Sequence, residues 1–211
     1  MTAIPLTRNK ASRKKESQIR AAVRKAETIP ELACLAREND VNTLTSLLQD
    51  PLISTPIYTL PEQINRNTVA NFIERHLLER EDGEGLLMIS TDEGGKVSAY
   101  HDIKIWPQWA ACELGGAIRH DRQSTGQGSS GATIAFRWLF EVIGVDLICE
   151  TAALDNVRTA RLLERIGFTF RGEISSELPS GGLRPSLYWE LERKNWLSMI
   201  SSSDASEESK S

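Results

Sequence analysis

The sequence predicts an α/β domain built on a mixed sheet, and three observations carry that prediction. Extended segments dominate the first half of the folded region. One pair of them, Leu86–Ser90 and Lys96–Trp106, is joined by the turn Asp92-Glu93-Gly94-Gly95 and reads as a hairpin. From Cys112 onward the pattern changes to strand, helix, strand, helix, strand, which requires helices packed on a sheet.

The elements follow in order. Leu32–Ala36 is a short apolar run that can open a sheet. Asp40 stands where it can cap a helix running through Leu48. Asn67 and Thr68 precede Val69, Phe72, Ile73, His76 and Leu77, a helical spacing that ends near Gly83. Pro107 closes the hairpin's second strand or marks its edge. Cys112–Ile118 is the next strand, and Ser129–Ile143 a strongly apolar and therefore buried helix. Leu147–Ala152 is a strand, and Asn156–Ile166 a helix that Gly167 can stop. Phe168–Phe170 and Leu187–Leu191 close the sheet.

Composition narrows the class. At 211 residues, 40% hydrophobic and 26% charged, the chain can bury one ordinary core. No apolar run approaches the roughly 20 residues that span a bilayer, so no membrane association is expected. The start has no apolar segment of the secretory kind; its basic, acid-poor character leaves a transit peptide as the minor alternative to a cytoplasmic location. Cys34, Cys112 and Cys149 are odd in number and far apart, which suits a reducing compartment without disulfides. His76, His101 and His120 form no spaced cluster, so no metal site is expected. Residues 1–27 hold eight lysines or arginines against two glutamates, so the net charge of −4 hides a basic start and an acidic remainder. Three segments result: a basic N-terminal arm, 1–29, mobile or helical; a folded domain, 30–198; and a polar, Ser-rich tail, 199–211, expected to be disordered. The arm reads as a solvated tail, with ribosome or RNA contact as its alternative role.

The most informative stretch is Arg122-Gln123-Ser124-Thr125-Gly126-Gln127-Gly128-Ser129-Ser130-Gly131, between a strand and a helix. Glycines admit close backbone approach, and the helix start offers unpaired N–H groups and a partial positive charge. Together they make a phosphate cradle, with Arg119 and Arg122 as nearby cations. Gly126-x-Gly128-x-x-Gly131 also matches a dinucleotide fingerprint, with Glu150 placed to bind a ribose, but about seven residues separate Ile118 from its first glycine. A P-loop reading fails at Ala132, where lysine is essential.

A third reading draws on more of the chain. Gln123-x-x-Gly126-x-Gly128 resembles the pyrophosphate motif of the GNAT acetyltransferase superfamily, and Glu113-Leu114-Gly115-Gly116-Ala117-Ile118 is similar to the strand before it. The segment Asn156 to Phe168 resembles the family's Asn-x-x-Ser/Ala…Gly-Phe block. Leu187-Tyr188-Trp189-Glu190-Leu191 with Trp196 is similar to the ribosomal-protein N-terminal acetyltransferase (RimJ/RimL) branch. The resemblance covers about 31–197. It implies a mixed, mostly antiparallel central sheet whose middle strands splay apart, flanked by helices.

The resemblance also implies the site. Acetyl-CoA would be the acyl donor, its pantetheine lying in the splay against Ile118 and Arg119. Gln123, Ser124, Thr125, Gly126, Gln127, Gly128 and Ser129 would wrap the pyrophosphate, and Asn156 would reach the pantetheine, although asparagine also caps helices well. An amine acceptor with pKa near 10 must lose a proton before attack in a ternary complex, so a carboxylate base is expected. Glu113, on the rigid splayed strand, is preferred to Glu177, in the loop after Phe168. The family's usual tyrosine acid is replaced by Leu163. Thr159, which can reach the leaving thiol, and Tyr188 are the remaining catalytic candidates. Trp106 and Trp109 can line an acceptor pocket formed with loops 50–66 and 174–186. The acceptor is expected to be a protein or peptide N-terminus or a small amine, and the enzyme a monomer or homodimer. The rival functions are a non-catalytic CoA-binding module, a nicotinamide-dependent oxidoreductase and an acetylating toxin of charged tRNA.

Overall fold

The computed structural model describes residues 4–57, 59–122, 127–177 and 181–199, without the side chains of 127–129 and 177. The polar segment 200–211 lies outside the described residues.

Eight strands form one sheet. In chain order they are β1 (Thr28–Ile29), β2 (Ala33–Leu35), β3 (Gly85–Thr91), β4 (Val97–Trp106), β5 (Ala111–Ile118), β6 (Leu147–Ala153), β7 (Thr169–Glu177) and β8 (Leu183–Glu192). The spatial order is β1-β2-β3-β4-β5-β6-β8-β7. Every neighbouring pair is antiparallel except β5 with β6.

Helices cover both faces: α1 (Arg13–Lys25), α2 (Val41–Leu48), α3 (Pro51–Ser54), α4 (Arg66–Asp82), α5 (Gln127–Trp138) and α6 (Val157–Ile166). The core divides accordingly. On one face Leu86, Met88, Ile103, Cys112, Ile148 and Trp189 pack with α1, α5 and α6. On the other Leu87, Ile89, Val97 and Tyr100 pack with α2, α3 and α4. Period-2 alternation along each strand produces these two apolar faces.

Local chemistry sets the ends of the helices that frame the site. The α4 N-terminus is closed by a reciprocal pair: Asn65 accepts from the Asn67 and Thr68 amides while Thr68 Oγ1 accepts from the Asn65 amide. Gly83, in the left-handed conformation at φ 74°, ends that helix. The cap is Asn65, two residues before the expected start at Asn67. Asp40 precedes α2 but makes no side-chain cap bond.

The N-terminal segment is an integral layer of the fold. Ile19 and Val23 of α1 are fully buried in the larger core. Its cations dock on the acidic body: Lys15 Nζ lies 3.0 Å from Asp146, and Arg20 2.9 Å from Glu84. The solvated-tail expectation rested on charge and overlooked Ile19, Ala22, Val23 and Ala26, whose i, i+3, i+4, i+7 spacing makes a narrow apolar stripe. Upstream of α1, the Leu6 amide donates to Tyr188 Oη at 3.0 Å, and Thr7 donates twice to the Glu190 carboxylate at 2.9 and 2.7 Å.

One expected loop is largely sheet. Glu177 is the last residue of β7, and 174–186 is largely the β7–β8 hairpin.

Candidate active site

The site is built by a pairing that stops. β5 and β6 run parallel through three register pairs, Ala111–Leu147, Cys112–Ile148 and Glu113–Cys149. Beyond Glu113 each strand stays with its outer neighbour: β5 pairs with β4 as far as Ile118, and β6 with β8 as far as Ala153. The sheet therefore forks. Gly115 and Gly116 are exposed although they lie on a central strand. Gly116 is held at φ 137°, and a Cβ there would come within 2.1 Å of the Tyr100 carbonyl oxygen, so no larger residue fits this backbone.

A cleft of about 1270 Å³ passes through the fork and opens on both faces of the sheet. On one side it is lined by Ser130–Ala132 at the start of α5 and by Asn156, Arg158 and Thr159 at the start of α6. On the other it reaches Arg75, His76 and Glu79 of α4 and Ile57.

Two carboxyls flank the point of divergence. Glu113 pairs with Lys104 and Cys149, so it shares their face, together with Thr151 two residues along β6. Thr151 Oγ1 donates to Glu113 Oε1 at 2.8 Å. Burial pushes the Glu113 carboxyl up to about 7; the Thr151 hydrogen bond opposes this and the charge of Asp102 adds to it. At that value the group changes protonation near neutrality. Glu150 follows Cys149 and points to the opposite face, with Ile148 and Ala152. It is 8% exposed and its Oε1 has no hydrogen-bond partner among the described residues. Burial, reinforced by the Glu113 charge, holds its carboxyl well above the usual range, against a hydrogen bond from the Leu114 amide.

The α4 face carries a further polar pair. His76 Nε2 lies 3.0 Å from Asp102 Oδ1, and Nδ1 lies 2.8 Å from the Phe72 carbonyl oxygen. Burial alone would lower the His76 pKa, but Asp102, the Phe72 carbonyl and Glu79 together outweigh it and the net shift is upward. Asp102 stands opposite Gly115 across β4 and β5, where the missing side chain leaves room beside the fork.

Of the residues expected from the sequence, the structure brings Glu113, Ile118, Asn156 and Thr159 to one cleft. Asn156 caps α6, its side chain accepting from the Thr159 amide at 3.1 Å. Arg119 is not part of the lining. Its guanidinium is held by Asp121 at 2.7 Å and Asp92 at 2.9 Å, and its amide donates to the Ser98 carbonyl. Tyr188 also lies elsewhere: it is fully buried, its hydroxyl donating to Glu190 at 2.8 Å and accepting from Leu6. Trp109 stacks beneath Arg8 at 4.6 Å, and Trp106 packs against the cluster of Cys149, Ile174 and Tyr188. Neither tryptophan lines the cleft. Gln123, Ser124, Thr125 and Gly126 lie outside the described residues, as do the side chains of Gln127, Gly128, Ser129 and Glu177. Gln127 to Ser129 form the first turn of α5. Gly131 packs against Leu32, where an added Cβ would lie 3.2 Å from Cδ1.

Sequence reasoning missed the His76–Asp102 pair and the place of Glu150 at the fork. A signal existed for each: His76 falls on the apolar stripe of α4 and needs a partner there, and Glu150 is an acid inside an otherwise apolar strand. The dinucleotide alternative is excluded by topology, because its fold needs a doubly wound parallel sheet and among the described strands one pair alone is parallel.

A family model described as the acetyltransferase (GNAT) domain matches residues 34–169. No curated protein matches the chain in sequence. Among solved structures, the chain is similar to ribosomal-protein-S5-alanine acetyltransferase from Vibrio fischeri, at 13% identity and TM-score 0.66, over 78% of this chain and 93% of that one. It is similar to spermidine N-acetyltransferase from Vibrio cholerae in complex with CoA and spermine, at 15% identity and TM-score 0.66, over 78% and 96%. It is also similar to RimL, the ribosomal L7/L12 α-N-protein acetyltransferase in complex with coenzyme A, at 12% identity and TM-score 0.66, over 80% and 98%. At these identities the likeness is one of fold.

Proposed function

The chain belongs to the GNAT acetyltransferase family, and from that premise we propose that it transfers the acetyl group of acetyl-CoA to an amine, by direct attack within a ternary complex. The observation that carries this reading is the parting of β5 and β6 after Glu113–Cys149, which leaves a strand edge inside a cleft open on both faces.

The residues present suit acetyl-CoA as donor. The edge beyond Leu114 offers backbone groups to an extended pantetheine amide chain, and the exposed Gly115 and Gly116 leave it unobstructed. Ser130 to Ala132, near the start of α5, line the cleft, and a helix N-terminus attracts phosphate. Arg122 and Arg158 line the same cleft. Acetyl-CoA brings an activated thioester, so the protein's task is alignment and proton movement. Glu113 takes the proton of the amine. It stands on a paired strand, Thr151 fixes its orientation, and its pKa of about 7 suits a base at neutral pH. Asn156 and Thr159 set the start of α6 against the donor, and Glu177 is the alternative base. The acceptor enters from the α4 face, past Arg75, Ile57 and Glu79.

The acceptor class is a protein or peptide N-terminus or a small amine, and the setting cytoplasmic. Among the described residues no helix is long and apolar enough to cross a membrane. The basic N-terminal helix acts as a brace, because Lys15, Arg20 and Arg24 bind groups within the chain. Ribosome contact through it would rely on the remaining cations.

A transfer screen tests the reading: acetyl-CoA with N-terminal peptides, polyamines, aminoglycosides and amino acids, following thiol release and acetylated product. Acetylation of at least one amine class, lost in Glu113→Gln, is the expected result. Acetyl-CoA binding without transfer to any class would favour a CoA-binding module instead.

A further inference from the structure

The family's usual acid position is Leu163, an apolar core residue, so the departing sulfur needs another source of a proton. Three observations converge on one side chain. Glu150 lines the cleft at the fork. It points to the face carrying α5 and α6, the face of the phosphate cradle, and so lies on the donor side. It is more than nine-tenths buried, with Oε1 unpartnered among the described residues. An unpaired carboxyl oxygen inside a protein is costly, and one that lines a ligand cleft has a natural partner in the ligand.

Resting on the acetyl-transfer reading above, we propose that Glu150 is the proton donor to the CoA sulfur. The amine nitrogen forms its bond to the acetyl carbon and the carbon–sulfur bond breaks. The nitrogen's surplus proton passes to Glu113, and the proton on Glu150 passes to sulfur. Amine and acetyl-CoA become amide and free CoA thiol, Glu113 ends neutral and Glu150 ionised. Return of one proton from Glu113 to Glu150 restores the start, with no other reactant. The two carboxyls divide the work by face: base on the α4 side, acid on the α5–α6 side. Their environments suit the division. Burial keeps Glu150 neutral, whereas Glu113, held by Thr151, ionises near neutrality. A carboxylic acid kept neutral by its surroundings can donate a hydrogen bond where an ionised one cannot.

Infrared spectroscopy of the full-length wild-type protein at neutral pH tests this without turnover. Beside the contribution of the partly protonated Glu113, a neutral carboxyl component is expected that is lost in Glu150→Gln and remains in Glu113→Gln. The Gln variant keeps an oxygen for the Leu114 amide, so it should fold. Adding CoA should shift the band, because the O–H gains the sulfur as acceptor; desulfo-CoA, which lacks that atom, should leave the band in place. Absence of a Glu150-dependent neutral band, or the same response to CoA and desulfo-CoA, overturns the assignment. Calorimetry separates the two levels. If CoA does not bind wild-type protein at all, the transfer reading itself fails; if CoA binds and the band ignores sulfur, only the role of Glu150 fails.

Discussion

Glu113 and Glu150 stand one residue out of register on adjacent parallel strands, so their carboxyls lie on opposite faces of the sheet at the point where the strands part. The Glu113 charge raises the cost of ionising Glu150, because like charges at a shared site disfavour double ionisation. Such a pair titrates as a unit. Glu150 therefore stays neutral over the range in which Glu113 ionises.

The base is tested by Glu113→Gln. A general base contributes on the order of 10²–10⁴ in rate, so kcat should fall by that order. Acetyl-CoA affinity, read by calorimetry, should hold within about threefold, since Glu113 faces away from the phosphate cradle. A kcat within tenfold of wild type would assign proton removal to solvent or to Glu177.

Asp102→Asn tests the tuning of that base. The Asp102 charge helps raise the Glu113 pKa, and its removal should lower it. The acidic limb of the kcat profile should therefore move to lower pH, with activity retained further into acid than in wild type. An unmoved limb would show that Asp102 serves His76 alone.

Gly116→Ala tests the fork itself. The backbone there is at φ 137° and an added methyl meets the Tyr100 carbonyl oxygen at 2.1 Å, an obstacle that cannot rotate away. Strain of this kind costs about 1–3 kcal/mol. A lowered melting temperature and lost stabilisation by acetyl-CoA are expected. Gly115→Ala is the control, since its Cβ would find nothing closer than 3.7 Å, and it should fold as wild type.

Removal of the N-terminal helix should be severe. Ile19→Ala empties a fully buried site, a change that costs about 2–5 kcal/mol in well-packed cores. Deletion of residues 1–27 also strips Leu6 and Thr7 from Tyr188 and Glu190. Urea denaturation should show both variants destabilised, the deletion more. An unchanged midpoint would mean that α1 is dispensable.

Much of this was legible in the sequence because local rules decided it. The hairpin around Gly94-Gly95, the α6 segment between Asn156 and Gly167, and Glu113 on the splayed strand follow from turn residues, capping and the motif resemblance. What was not legible depended on pairing between distant segments. Nothing near Glu150 in the chain tells that its strand leaves Leu114 behind at the fork. The Tyr188 hydroxyl is occupied by the Leu6 amide of the N-terminal segment, 182 residues away. The Arg119 guanidinium, beside the expected pantetheine edge, is held by Asp92 of the β3–β4 turn, a distant partner that local sequence does not name. In α1, charge masked a narrow apolar stripe of Ile19, Ala22 and Val23, continued by Ala26, that packs onto the core.

The central claim is that the fork between β5 and β6 binds acetyl-CoA, and thermal denaturation with added ligand tests it most directly. Site-specific binding stabilises the folded state in proportion to ligand excess, by about 2.7 kcal/mol at a hundredfold over Kd. Acetyl-CoA should raise the melting temperature by several degrees in wild-type protein, while NADH and ATP at the same concentration should not, and Gly126→Asp should abolish the effect by setting negative charge in the phosphate turn. No shift with acetyl-CoA, or an equal shift with NADH, would contradict the account.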